Sequence, residues 1–171
     1  MLRWIVTLVV TTLLAGCVLQ SPAPIFPDSN AKLVFGNGKL SARIYSRKDG
    51  QWVMDEKPVT LRTSGHHYAV ETEGVTIELF FIPLDGRWHV VQAMEKGKPT
   101  VYMLAEVQNH RADFRILSCT DLKKHEAVAK SINFNGEDCF IKPKEGTKAL
   151  FKALIKMPGA PSSRLEIANP S

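Results

Sequence analysis

Three cysteines, Cys17, Cys119 and Cys139, are the most reactive side chains that this sequence offers. A thiolate can act as nucleophile or metal ligand, and two thiols can join as a disulfide. Cys119 and Cys139 would close a loop of about 20 residues, for which chain entropy gives roughly 3 kcal/mol. The same pair leaves open a nucleophilic thiol, with His125 between them as a base, or half of a metal site. The histidines are His66, His67, His89, His110 and His125. Adjacent His66 and His67 would point to opposite sides of a strand and so do not easily chelate one ion unless they sit in a turn. His89, between Trp88 and Val90, reads as a solvent-facing strand residue. No HExxH pattern, zinc-ligand spacing or Gly-rich phosphate loop is present. Gly-x-Ser-x-Gly is absent. Asp55-Glu56 and Glu137-Asp138 are sequence neighbours beside turns, where carboxylates are solvated rather than paired for acid–base work. The sequence therefore assigns no catalytic residue, no metal and no cofactor, and the chain reads as a non-enzyme.

The elements around these residues fall into three blocks. Met1 to Gly16 has one cation, Arg3, and an apolar run from Trp4 to Leu14. A membrane-spanning helix needs about 20 apolar residues, so this run matches a secretory signal peptide over 1–16 instead. Residues 17–30 carry Pro22, Pro24 and Pro27 without apolar periodicity. Proline fixes φ and removes a donor, so this stretch is expected to be an extended tether with a reach of roughly 40 Å. Residues 31–171 are then one domain with a single core.

Between Ala31 and Ser118 the apolar period is two, with turn signals about every 10 residues. Val75, Ile77, Leu79 and Phe81 share one strand face; Trp88, Val90, Gln92 and Met94 another; Val101, Met103, Ala105 and Val107 a third. Asp85-Gly86 is the clearest hairpin signal. After Ser118 the period changes. Thr120–Ala129 and Thr147–Met157 read as helices, the second with Lys148, Lys152 and Lys156 on one face and Leu150, Phe151, Leu154 and Ile155 on the other. Ile132–Phe134 and Cys139–Ile141 read as short strands, and Arg164–Ile167 as a returning edge strand. The expected fold is α+β and β-dominated: an antiparallel meander, barrel or strongly twisted sheet, followed by two short helices.

Leu14-Ala15-Gly16-Cys17 closes the leader, and this box resembles the lipobox of bacterial lipoproteins. The resemblance implies cleavage after Gly16, diacylglycerol on the Cys17 sulfur and fatty acylation of the new amino terminus. Two or three chains at ~0.8 kcal/mol per buried methylene hold a protein on a bilayer, where one chain does not. Residue 18 is Val rather than Asp, which in Gram-negative lipoproteins implies the outer membrane, facing the periplasm. In that oxidising compartment Cys119 and Cys139 are expected to pair. Only Arg3 of the 22 Lys and Arg lies in the leader, against 17 Asp and Glu elsewhere, so the mature part is mildly basic, about +4. Anionic headgroups or cell-wall polymers suit that charge, and nucleic acid does not suit an exported chain.

Ser64-Gly65-His66-His67-Tyr68 has the spacing Ser-Gly-x-x-Tyr. It is similar to a loop of the membrane-bound C-type lysozyme inhibitors, small lipid-anchored periplasmic barrels. What that implies is a lysozyme-binding loop carried by Ser64 and Tyr68. The leading expectation is a lipid-anchored envelope protein with a non-catalytic binding or structural domain, partnered by the membrane and by an envelope protein or cell-wall polymer. A periplasmic lysozyme inhibitor is the alternative. An envelope enzyme of another kind would need a concave pocket with perturbed titratable groups.

Overall fold

A computed structural model describes residues 18–72, 74–142 and 147–168. In chain order these form β1 (Leu19–Ser21), a 3-10 turn at Asp28–Asn30, β2 (Lys39–Lys48), β3 (Gln51–Met54), β4 (Val59–Ser64), β5 (His67–Thr72), β6 (Val75–Asp85), β7 (Trp88–Glu95), β8 (Thr100–Gln108) and β9 (Arg111–Ile116). Then come α1 (Cys119–Lys123), α2 (Glu126–Ala129), β10 (Ile132–Asn135), β11 (Asp138–Ile141), α3 (Thr147–Ile155) and β12 (Ser163–Ile167). The fold is β-dominated α+β, and the meander closes into an antiparallel barrel.

The circuit runs β8-β7-β6-β5-β4-β2-β12-β9 and returns to β8. Each step is antiparallel, and the β6–β7 hairpin turns at Asp85-Gly86, where Gly86 takes φ +54°. Closure depends on β12, which pairs with β2 on one side and β9 on the other. Arg164–Ile167 is therefore no edge strand: it seals the barrel. It also covers backbone groups of β2 and β9 that would otherwise be open edges.

Strand β8 splits one of its edges. Met103–Gln108 pairs with β9, while Thr100 and Val101 pair with Ser21 and Gln20 of β1. From β1 the sheet continues through β11, which is parallel to it, to β10. The split makes two cores. One fills the barrel and includes Leu40, Leu61, Tyr68, Phe81, Val91, Met103, Phe114 and Leu165. The other lies on the outside of β6–β8, where Phe80, Ile82, Val90, Tyr102 and Leu104 meet Leu122, Val128, Phe151 and Leu154 of the helices. Strands covered on both faces need consecutive apolar residues, which explains Phe80-Phe81-Ile82 and Val90-Val91.

Residues 18–30 are not an extended tether. Val18 bridges to Ser118, and Leu19 to Ser21 form a buried strand. Phe26 is buried in the outer core and packs on Phe151 at 5.8 Å between ring centroids. The prolines shape a strap rather than a spacer, and Ile25-Phe26 is the apolar content that docks it. Further on, Phe35 enters the barrel against Tyr68 and Phe81. The helical region also differs from expectation. The stretch Thr120–Ala129 breaks at Lys124 and His125, with His125 in extended φ/ψ, so α1 and α2 are separate short turns. Cys119 and Cys139 form a disulfide, which ties the start of α1 to β11.

Candidate interaction surface

Cys17 lies outside the described residues, and the structure first follows the chain at Val18. Ser64 and Tyr68 are described, and the hairpin places them on opposite faces. Ser64 pairs with His67 and Thr63 with Tyr68 across a two-residue loop, so the side chains alternate.
Ser64 is exposed. Tyr68 is fully buried in the barrel, where its hydroxyl accepts the Phe35 N–H at 2.8 Å and donates to the Gly36 carbonyl at 3.1 Å. Burial pushes its pKa up. The two residues of the Ser-Gly-x-x-Tyr pattern are thus not brought together on one surface. Tyr68→Phe is expected to cost about 1–2 kcal/mol in urea unfolding, because the buried Phe35 N–H loses its acceptor, while Ser64→Ala stays within about 0.5 kcal/mol. Equal effects of the two would contradict this assignment.

Ser64 shares its outward face with His67 and Glu78, on three adjacent strands. The arrangement does not form a relay. His67 Nε2 sits 3.6 Å from Glu78 Oε1, and the ring stacks on Phe80 with centroids 4.4 Å apart. That nitrogen has no hydrogen-bond partner among the described residues. Among those residues no group of three His, Cys, Asp or Glu is placed to hold a metal ion.

His89 is not solvent-facing. It pairs with Ala105, points into the barrel and approaches Phe81 at 6.4 Å between centroids. Burial lowers its pKa below the ordinary 6.5, against a smaller raising effect of its Nδ1 contact with the Arg87 carbonyl. A lowered folded-state pKa means the fold favours neutral imidazole. The stability tied to neutrality is complete above pH 6.5 and is lost as pH falls from there through the lower folded value. His89→Asn should therefore flatten the fall in urea midpoint between about pH 7.5 and about pH 5. Unchanged slopes for parent and variant would count against it.

Two buried polar groups organise the outer core. Gln92 is fully buried and accepts the Phe26 N–H at 3.1 Å while donating to the Phe26 carbonyl at 3.3 Å. Tyr102 donates to the same Gln92 oxygen at 3.2 Å and accepts the Ile25 N–H at 2.9 Å. Burial pushes the Tyr102 phenol up to about 12, so this network keeps its protons across physiological pH. Arg115 is also buried, with no carboxylate beside it among the described residues. It donates to the Leu154 and Met157 carbonyls and lies over the Trp88 ring at 5.3 Å. Burial lowers its pKa.

The remaining outward face, on β3, β2, β12 and β9, is rich in arginine and aromatic residues. Arg164 Nε donates to Asp113 Oδ1 at 2.6 Å and its guanidinium covers Trp52 at 4.3 Å. Arg47 approaches the same ring at 5.9 Å, Arg111 pairs with Asp113 at 3.5 Å, and Arg164 with Glu166 at 3.7 Å. Tyr45 stands between Arg164 and Met54 in register. Val53 and Met54, on the short strand β3, are the exposed large hydrophobic residues of the described chain. Trp, Tyr and Arg are the residue types that dominate protein contacts. An open depression at the β8–β9 turn, bordering this face, is lined by Gln108, Asn109, His110, Arg111, Glu166 and Ile167. It holds no thiol, hydroxyl or amine nucleophile next to a base.

Sequence reasoning missed this face because its members come from the β2–β3 hairpin, β9 and β12, which lie far apart in the chain. It missed Gln92 because a glutamine inside an apolar run gives no sign of its partner. No protein-family model matches the chain, and no curated protein or solved structure matches it either.

Proposed function

We propose that this chain is a lipid-anchored protein of the bacterial cell envelope, processed at Cys17, whose barrel is a non-catalytic binding or support module in the periplasm. The observation that carries the reading is the buried disulfide between Cys119 and Cys139. Such a bridge persists in an oxidising compartment, which is where the leader and the Leu14-Ala15-Gly16-Cys17 box would deliver the domain. The arginine and aromatic face gives the module a surface for an envelope protein or cell-wall polymer. Its ion pairs and ring contacts are already satisfied within the sheet, so it is pre-formed.

The reading is tested by intact-mass measurement of the protein purified from bacterial membranes. The expected mass is that of residues 17–171 plus a diacylglyceride and an amide-linked acyl chain. A Met1 start with no lipid, or cleavage at another bond, would overturn it. The Cys17→Ala chain should then lack the lipid mass altogether.

A further inference from the structure

We infer that α3 lies against an anionic phospholipid surface through Lys148, Lys152 and Lys156, setting how the barrel sits on its bilayer. The inference rests on the lipid-anchor reading for the protein's presence at a membrane, but the contact itself rests on α3. The helix and the residue after it carry three lysines and no acid from Thr147 to Lys156. All three lysines are exposed. They recur every four residues, so they form a row with about 6 Å of axial rise between neighbours. None forms an ion pair with a described residue, whereas Lys124 and Lys130 are paired with Asp121 and Glu126.

Lysines near a helix C-terminus commonly neutralise its dipole. Here that role is already filled, because Arg115 donates to the Leu154 and Met157 carbonyls. The other side of α3, Leu150, Phe151 and Leu154, is buried in the outer core. The helix therefore cannot insert an apolar face into lipid, and any hold on the surface is electrostatic. Position favours the same outcome. The chain from Cys17 enters the structure at Val18, and Leu19 belongs to the same outer core as Phe151. There is no spacer between the lipid-bearing residue and the sheet, so the domain is held close to the headgroups. The layer that contains α3 is the layer that the anchor joins.

The test uses the full, processed protein reconstituted into vesicles of phosphatidylcholine alone or with phosphatidylglycerol. A water-soluble amine acylating reagent reports each lysine by peptide mass spectrometry. Each lysine near an anionic surface is worth about fivefold in partitioning. Labelling of Lys148, Lys152 and Lys156 is expected to fall at least about fivefold with phosphatidylglycerol and to recover in high salt. Lys48 and Lys57, near the β2–β3 hairpin, should label equally in both. Equal labelling of the α3 lysines in both vesicles overturns the inference. Protection in whole envelopes but not in pure lipid would also overturn it, and would assign the row to a protein or glycan.

Flotation of the same samples separates the two readings. Flotation with both vesicle types but no protection removes the α3 contact and leaves the anchor. Flotation only with phosphatidylglycerol, lost in salt, removes the anchor and leaves the contact. Flotation with neither removes both. In the parent, Lys123 and Lys130, on helices of the same layer, should also label less with phosphatidylglycerol. The variant K148E/K152E/K156E should still float through its lipid, but the labelling of Lys123 and Lys130 should no longer depend on phosphatidylglycerol. Persistence of that dependence would overturn the role of the row.

Discussion

The Cys119→Ala/Cys139→Ala variant should unfold in urea with a stability about 3 kcal/mol below that of the parent. The bridge closes a loop with a sequence separation of 20 residues. Without it the unfolded chain regains the entropy of that loop, and its denaturant slope should rise because the unfolded state is more expanded. Both sulfurs are buried, so the native state also loses packing. The damage should be local before it is global. The flank of β1, β11 and β10 joins the barrel through a two-residue ladder between β1 and β8, the Val18–Ser118 bridge and the Leu19 N–H bond to the Leu117 carbonyl at 3.1 Å, all of them on β1. Those contacts reach β11 only through β1, whereas the disulfide ties β11 directly to the chain leaving β9. Amide exchange at Leu19 to Ser21 should therefore quicken sharply, while β4 to β7 keep their protection. A loss under about 1 kcal/mol, or quickening spread evenly over the barrel, would show that the bridge does not hold this flank.

The two-residue period in Val75–Phe81 and Trp88–Met94 was enough to place strands, because one face of each must be apolar whatever its partner. The Asp85-Gly86 turn was legible because only a residue free to take positive φ opens that loop. The pairing of Cys119 with Cys139 followed from a leftover pair in a chain that the leader marks for expected export. Closure was not legible, since it depends on Ser163–Ile167 reaching strands more than 40 residues away in sequence. The strap was misread for a physical reason. Pro22, Pro24 and Pro27 do forbid a regular helix, but they do not forbid burial, and Ile25 and Phe26 lie between them. Tyr68 was readable in principle: a two-residue loop sets Ser64 opposite His67, so parity alone turns Tyr68 inward with Leu61 and Thr63. His89 is the same lesson, as it shares parity with Val91 and Ala93, which line the barrel.

The strap offers the second large effect, through Gln92→Leu. Leucine keeps much of the side-chain volume, so the change isolates the polar contacts. In the parent, the Gln92 amide presents one acceptor and one donor to Phe26, as a neighbouring strand would. With leucine there, the Phe26 N–H and C=O both stay buried without those partners, at about 1–3 kcal/mol each. Relaxation of the strap toward water should limit the total to about 3 kcal/mol. Tyr102→Phe is smaller, about 1–2 kcal/mol, because it removes the acceptor for the Ile25 N–H alone and leaves the Phe26 contacts in place. The double variant should cost less than the sum, since the Tyr102 hydroxyl and the Phe26 N–H share the same Gln92 oxygen. Urea unfolding gives the energies, and amide exchange at Ile25 and Phe26 gives the location. If Gln92→Leu costs under about 1 kcal/mol and Phe26 keeps its protection, packing of Phe26 on Phe151 alone holds the strap. If the cost appears without faster exchange at Phe26, the glutamine stabilises the sheet and not the strap.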